Sequence, residues 1–336
     1  MTKRLGARTL ALERKPAVRA WASAVGEKEG AGPLGRGFDL VSDDPYFGQP
    51  SWEKAETAML RDCLRRCLEK AGGPEPDCLL GGDLLNQCIS SAFSVKDSGL
   101  PYLGLYGACS TMAEGLALAA LLADSGAVDT ALAFTGSHFC TAERQYRFPL
   151  EYGGQRTPTS QWTVTGSGAV LLGAGGKLRI THVTLGRIVD AGLTDVGNMG
   201  AAMAPAAYDT ITAHFHDTGR DFSDYDAVFT GDLGAIGHDI LQDLLQRDGL
   251  SPGLRYLDCG CLIYDLKTQD VHAGGSGCGC SAAVLCGHIL PAMERGVWRR
   301  VLFAGTGALL SPLSTQQGCS IPGICHAVAI EREGRV

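Results

Sequence analysis

The chain has 336 residues, 45% hydrophobic and 19% charged, with 46 glycines, the composition of a well-filled globular protein rather than a disordered or fibrous one. A net charge of −7 and a pI near 5.6 give no electrostatic reason to expect nucleic acid as a partner. The 13 cysteines are odd in number and several sit in apolar runs, which fits packed thiols in a reducing compartment. The opening MTKRLGARTLALERK is charged throughout, so no signal peptide is expected. No apolar run approaches the roughly 20 residues of a spanning helix, so membrane contact is expected to be peripheral.

In chain order, residues 26–51 are rich in Gly, Pro and Asp and read as loop, after which Ser51 can cap a helix to about residue 71. Its Ala55, Met59, Cys63 and Cys67 lie four apart and form one buried stripe, while Arg61, Arg65, Arg66 and Lys70 read as a solvated face. The run 78–80, leaving through Gly81, Gly82 and Asp83, reads as a buried parallel strand with a helix to follow. A second strand is predicted over 102–106, then the turn Gly107, Ala108, Cys109, then a helix over 111–123. Thr111 and Glu114 have capping-box spacing. The helix reads MAEGLALAALLA, apolar on nearly every face, which places it at the centre of the molecule. A strand over 131–134 closes this unit before His138.

The second half repeats the plan. Residues 77–84 read DCLLGGDL and 226–233 read DAVFTGDL, setting Asp83 opposite Asp232. The run from Cys109 to ALAFTGS matches the run from Gly279 to VLFAGTG with equal spacing. Alternating strands and helices with right-handed crossovers predict an α/β protein of two duplicated βαβ-containing halves. The boundary falls near GAGGKLRI, giving halves 1–175 and 176–336.

Cys109, in GLYGACSTMAEG, stands between a strand and a helix start, where unpaired backbone N–H groups favour an anion or thiolate. Activity would further require a base and oxyanion donors. His138, after a strand, and His272, before a glycine-rich turn, are the imidazoles that could reach the same place. His214 and His216, in AHFHDTG, read as loop. Cys259 with Cys261 and Cys278 with Cys280 are spaced too closely for the usual zinc pattern, so no metal is expected. Gly274, Gly275, Gly277 and Gly279 read as a turn that lets backbone approach a ligand or the Cys109 helix. No GxGxxG opens a helix in the right context, so no nucleotide cofactor is expected.

The GACSTM turn, its apolar helix, the duplicated halves and the late GGSGCGCSAAV segment resemble the thiolase and ketoacyl synthase superfamily over most of the chain. The segments YFGQPSWEKAE, GGDLLNQ, EYGGQRTPTSQWTVTGSGA and FTGDLGAIG resemble a branch of it found in spore-forming bacteria. The resemblance implies a thiolase-like fold, with central buried helices between two mixed sheets. Chain-initiating synthases of that superfamily carry a catalytic histidine in a His-Gln-Ala-Asn run and an asparagine in a Gly-Asn-Thr-Ser run. Here FTGDLGAIG puts Gly231 at the histidine and GGSGCGCS puts Ser276 near the asparagine, so the oxyanion hole and general acid are missing.

What the resemblance implies is a binding protein rather than an enzyme. Its ligand would be pyridine-2,6-dicarboxylic acid (dipicolinic acid), free or as the calcium chelate. Cys109, Asp83, His138 and Ser276 would line or border the site, and Gly231 would leave room once occupied by the histidine. The setting implied is peripheral, at the spore inner membrane, with membrane proteins of one sporulation complex as partners and a homodimer as an open option. The rivals are an acyltransferase acylated on Cys109, with His138 or His272 as base, and a purely structural subunit.

Overall fold

The computed structural model describes residues 2–146 and 155–334; residues 151–154, the start of the EYGGQ segment, lie outside them. Five strands form the first half: β1 (Ala17–Gly26), β2 (Cys78–Gly82), β3 (Tyr102–Gly104), β4 (Ala131–Ser137) and β5 (Gly166–Gly173). Five form the second: β6 (Leu178–Thr184), β7 (Ala227–Thr230), β8 (Tyr256–Asp258), β9 (Arg300–Ala308) and β10 (Gly323–Arg332). The first half is ordered β1-β5-β4-β2-β3 and the second β6-β10-β9-β7-β8. Directions match too: β2 runs parallel to β3 and β4, and β5 antiparallel to β4 and β1. Likewise β7 is parallel to β8 and β9, and β10 antiparallel to β9 and β6.

The expected two mixed sheets are joined at one seam. β6 pairs with β1 through Leu178 with Val18 and Arg179 with Ala17, linking both halves into one ten-stranded path within a 13-stranded sheet. The strands Lys3–Leu5, Thr9–Ala11 and Leu40–Ser42 complete it; the last interrupts the 26–51 stretch that reads as loop.

The main helices are α1 (Trp52–Ala71), α2 (Ile89–Val95), α3 (Thr111–Ser125), α4 (Phe139–Tyr146), α5 (Met199–Thr218), α6 (Gly234–Arg247) and α7 (Cys278–Val284). α1 turns the predicted stripe of Ala55, Met59, Cys63 and Cys67 onto β1 and β5. α5 covers β9 and β10 in the same way on the other outer face. His214 and His216 lie in α5, not in a loop; the predicted loop is overruled by an apolar face that carries Ala207, Ile211 and Phe215 into the outer core. α3 is the shared centre: it packs on β2 and β4 of one half and on β9 and β10 of the other, which is why it is apolar all round.

The repeated aspartates explain the sequence match physically. The Asp77 carboxylate accepts the backbone N–H groups of Asp129 and Thr130, each at 2.8 Å, just before β4. The Asp226 carboxylate accepts those of Arg299 and Arg300 at 2.6 and 2.9 Å, at the start of β9. Each holds the beginning of the neighbouring parallel strand in register.

Candidate functional site

Cys109 is placed by backbone geometry. Residues Ala108–Ser110 form a 3-10 turn that runs directly into α3, and Ala108 sits at φ +49°, a left-handed conformation that costs an L-residue about 1–2 kcal/mol. The turn displaces the expected capping box. Thr111 lies inside the helix, its hydroxyl donating to Ala108 O, while Glu114 Oε2 is buried without a partner. From the second half, Gly307 of β9 allows the turn to come close: a Cβ there would lie 2.5 Å from Gly107 O and 3.2 Å from Cys109 N.

Cys109 and Ser276 both line a cavity of about 620 Å³, within the range of small-molecule sites. Its walls come from both halves and from the 155–163 segment, which Trp162 and Thr163 pin to Gly275 and Ser276 as a two-stranded ribbon. The group facing the thiol is Asp232, which the sequence repeat aligns with Asp83 but does not assign to the site. Its carboxylate accepts Thr306 Oγ1 at 2.8 Å, Gly277 N at 2.9 Å and Ser276 Oγ at 3.1 Å, and its charge acts on the Cys109 thiol. Burial pushes Asp232 up to about 7. Burial, then the Asp232 charge and the nearby Cys278, push the Cys109 thiol well above its ordinary range. Sulfur therefore keeps its proton, and the thiolate needed for attack is suppressed.

Three predicted site residues are placed elsewhere. Asp83 is fully buried and used up as a local cap, accepting Leu85 N at 2.8 Å and both Ser91 N and Ser91 Oγ at 2.7 Å. His138 is 1% exposed; its Nε2 donates to Pro45 O at 2.8 Å and its Nδ1 accepts Cys140 N at 3.1 Å, so neither nitrogen is free. β4 runs three residues past its predicted end, which carries His138 under Trp52 and Phe47 instead of into the cavity. Gly231 opens no space: a Cβ there would lie 2.8 Å from Thr306 N. The glycine is needed for β7 to lie against β9. His272, also off the cavity wall, sits near Asp270 at the surface.

No described residue on the cavity wall is a histidine. Among the described residues, no cluster of His, Cys, Asp and Glu could hold a metal ion. All 13 cysteines are free. Among the wall residues that the sequence does not single out are Arg156 and Gln161, both in the segment pinned by Trp162. Nothing local marks them, since their significance comes from partners more than 70 residues away.

Solved structures share this architecture at low sequence identity. 3-Oxoacyl-[acyl-carrier-protein] synthase III of Aquifex aeolicus superposes with a TM-score of 0.57 at 13% identity, covering 94% of this chain and 99% of that one. Cerulenin-bound OleA from Xanthomonas campestris gives 0.59 at 13% identity, covering 95% and 97%. The fold is thus thiolase-like. In sequence, the chain is 45% identical over 335 residues to stage V sporulation protein AD of Bacillus subtilis (strain 168), covering 99% of each. Residues 6–331 match the family pattern of that protein, and the chain belongs to the stage V sporulation protein AD family.

Proposed function

We propose that the chain is a thiolase-fold binding protein, without acyl-transfer activity, for pyridine-2,6-dicarboxylic acid, free or as the calcium chelate. It would support uptake of that ligand into the developing spore and its release at germination, as a peripheral member of a spore inner-membrane complex. The observation that carries this reading is the Cys109–Asp232 pair. At the position of a nucleophile stands a thiol held protonated by burial and a carboxylate, where acyl transfer requires a thiolate with an imidazole beside it.

A binding role needs less. A flat aromatic dicarboxylate asks for apolar walls and a few fixed polar groups, and the cavity offers Leu84, Tyr106 and Phe139 beside Arg156 and Gln161. The sporulation setting follows the family. A peripheral location is compatible with the described helices, none of which is long and apolar enough to cross a membrane.

Calorimetric titration of the full chain with pyridine-2,6-dicarboxylate, with and without calcium, tests the reading; saturable 1:1 binding is expected. Incubation with radiolabelled acetyl coenzyme A is the counter-test. A stable adduct on Cys109 that turns over would sink the binding reading in favour of acyl transfer.

A further inference from the structure

Asp232 is a buried acid that its neighbours can hold in either protonation state. It is fully buried just past β7, hydrogen-bonded to Ser276 and acting on Cys109, both residues of the cavity wall. Three donors hold the charged form: Gly277 N at 2.9 Å and the hydroxyls of Thr306 and Ser276 at 2.8 and 3.1 Å. A hydroxyl is donor and acceptor at once, so Thr306 or Ser276 can turn its hydrogen away and accept the proton of the neutral acid with no heavy atom displaced.

The titratable groups that interact with Asp232 are Asp258 at the end of β8, Cys109 before α3, Cys259 just past β8, Cys280 in α7 and Cys325 in β10. One is a carboxylate and four are thiols, so none supplies positive charge. Burial pushes all four thiols up, and they keep their protons through the neutral range. Asp258 is tied to the backbone N–H groups of Leu233, Gly234 and Cys261. An anion in the cavity therefore adds negative charge beyond Ser276 to a carboxylate without a counter-ion. Like charges in a low-dielectric interior favour the protonated form of the group that can neutralise itself. Linkage is reciprocal: a ligand that favours the proton is favoured by it to the same extent.

We infer that the cavity is proton-coupled: an anionic ligand enters together with one proton from solvent, which lodges on the Asp232 carboxylate, and the ligand is loosened when that proton is lost. This rests on the binding function proposed above and adds its regulation. A fall in pH through the neutral range tightens the site and a rise opens it.

The test is calorimetric titration of the full chain with pyridine-2,6-dicarboxylate, in pairs of buffers that differ in ionisation enthalpy, at intervals from about pH 6 to about pH 9. The difference in heat within a pair counts the protons taken up per ligand bound. Because burial holds Asp232 at about 7, uptake is expected to be small near pH 6 and to approach one proton above pH 8. Affinity is expected to fall by up to about 10-fold per pH unit above neutrality. Asp232→Asn is neutral at every pH; its affinity is expected to stay level, and to exceed that of the wild type by about 10-fold or more at the alkaline end. A second measurement leaves the chain unaltered: with carbon-13 in its aspartate carboxyls, adding ligand at about pH 8.5 is expected to produce the infrared band of one protonated carboxyl group.

Binding without proton uptake across the range, or no protonated aspartate on ligand addition, overturns the inference and leaves the binding function standing. An Asp232→Asn chain that still takes up a proton moves the coupling to another group, such as Glu143 or Asp195 of the cavity wall, and overturns the role of Asp232. No binding by the wild type at any pH overturns the underlying function and the inference with it.

Discussion

Asp83 and Asp232 end equivalent strands, β2 and β7, and lie in equivalent sequence runs, yet their surroundings differ in kind. Asp83 faces the start of α2 and is consumed by Leu85 and Ser91 of its own half. Asp232 is shared by Ser276, Gly277 and Thr306, brought from separate elements of its half, and acts on Cys109 of the other half. Both halves carry the carboxylate at the strand end; the loop that follows decides what it does. A short turn after Asp83 folds back on it, whereas Asp258 takes over the backbone N–H groups of Leu233 and Gly234 and leaves Asp232 for the cavity.

The contrast can be broken most sharply by pH. Asp232 is raised from 3.8 to about 7, so below pH about 4 both folded and unfolded chains carry its proton, while above 7 the folded chain must hold a buried charge. Stability from this group is therefore full below pH about 4 and is lost as pH rises towards and through 7. A rise of that size corresponds to roughly 4 kcal/mol. In urea titrations, Asp232→Asn is expected to gain on the wild type by an amount of that order between pH 4 and pH 8. A constant difference would refute the assignment. Asp83→Ala should instead cost about 3 kcal/mol, because it strands the buried N–H groups of Leu85 and Ser91, with little change in ligand affinity.

His138→Ala is expected to remove about 2 kcal/mol through the lost Pro45 and Cys140 hydrogen bonds and ring packing. Dicarboxylate binding should be unaffected, and a large loss would return the imidazole to the site. The smallest effect concerns the thiol itself. Cys109 should be alkylated by iodoacetamide at pH 8 about 10-fold or more slowly than exposed Cys319, and Asp232→Asn should narrow that gap by removing the charge that opposes the thiolate.

Legibility in the sequence follows how local each feature is. α1, α3 and the parallel strands are readable from their own periodicity and composition, because each buries its face in a way that its residues declare. β1 and β5 are not. AVRAWASAVG and GSGAVLLG are antiparallel strands without clean alternation, since both faces are covered by helices. The cysteine turn and Ser276 are found by spacing and resemblance. Asp232, Arg156 and Gln161 lie in segments that carry the resemblance but are assigned to the site by neither, because what distinguishes them is a partner, or a missing partner, that only long-range packing creates. His138 and Gly231 mislead for the same reason: their sequence positions suggest a cavity, and three extra strand residues or one tight contact close it.

The all-round burial of α3 also bears on biosynthesis. When residue 175 has been made, one flank of this helix already rests on β2 and β4, but the strands that cover its other flank are still to come. At about 5–20 residues per second the remaining chain takes on the order of 10 to 30 s. For that interval the nascent chain presents a stripe of leucine and alanine to solvent. The first half is thus expected to depend on holding chaperones until β9 and β10 arrive, and truncation products ending near the seam are expected to aggregate rather than persist as a free domain.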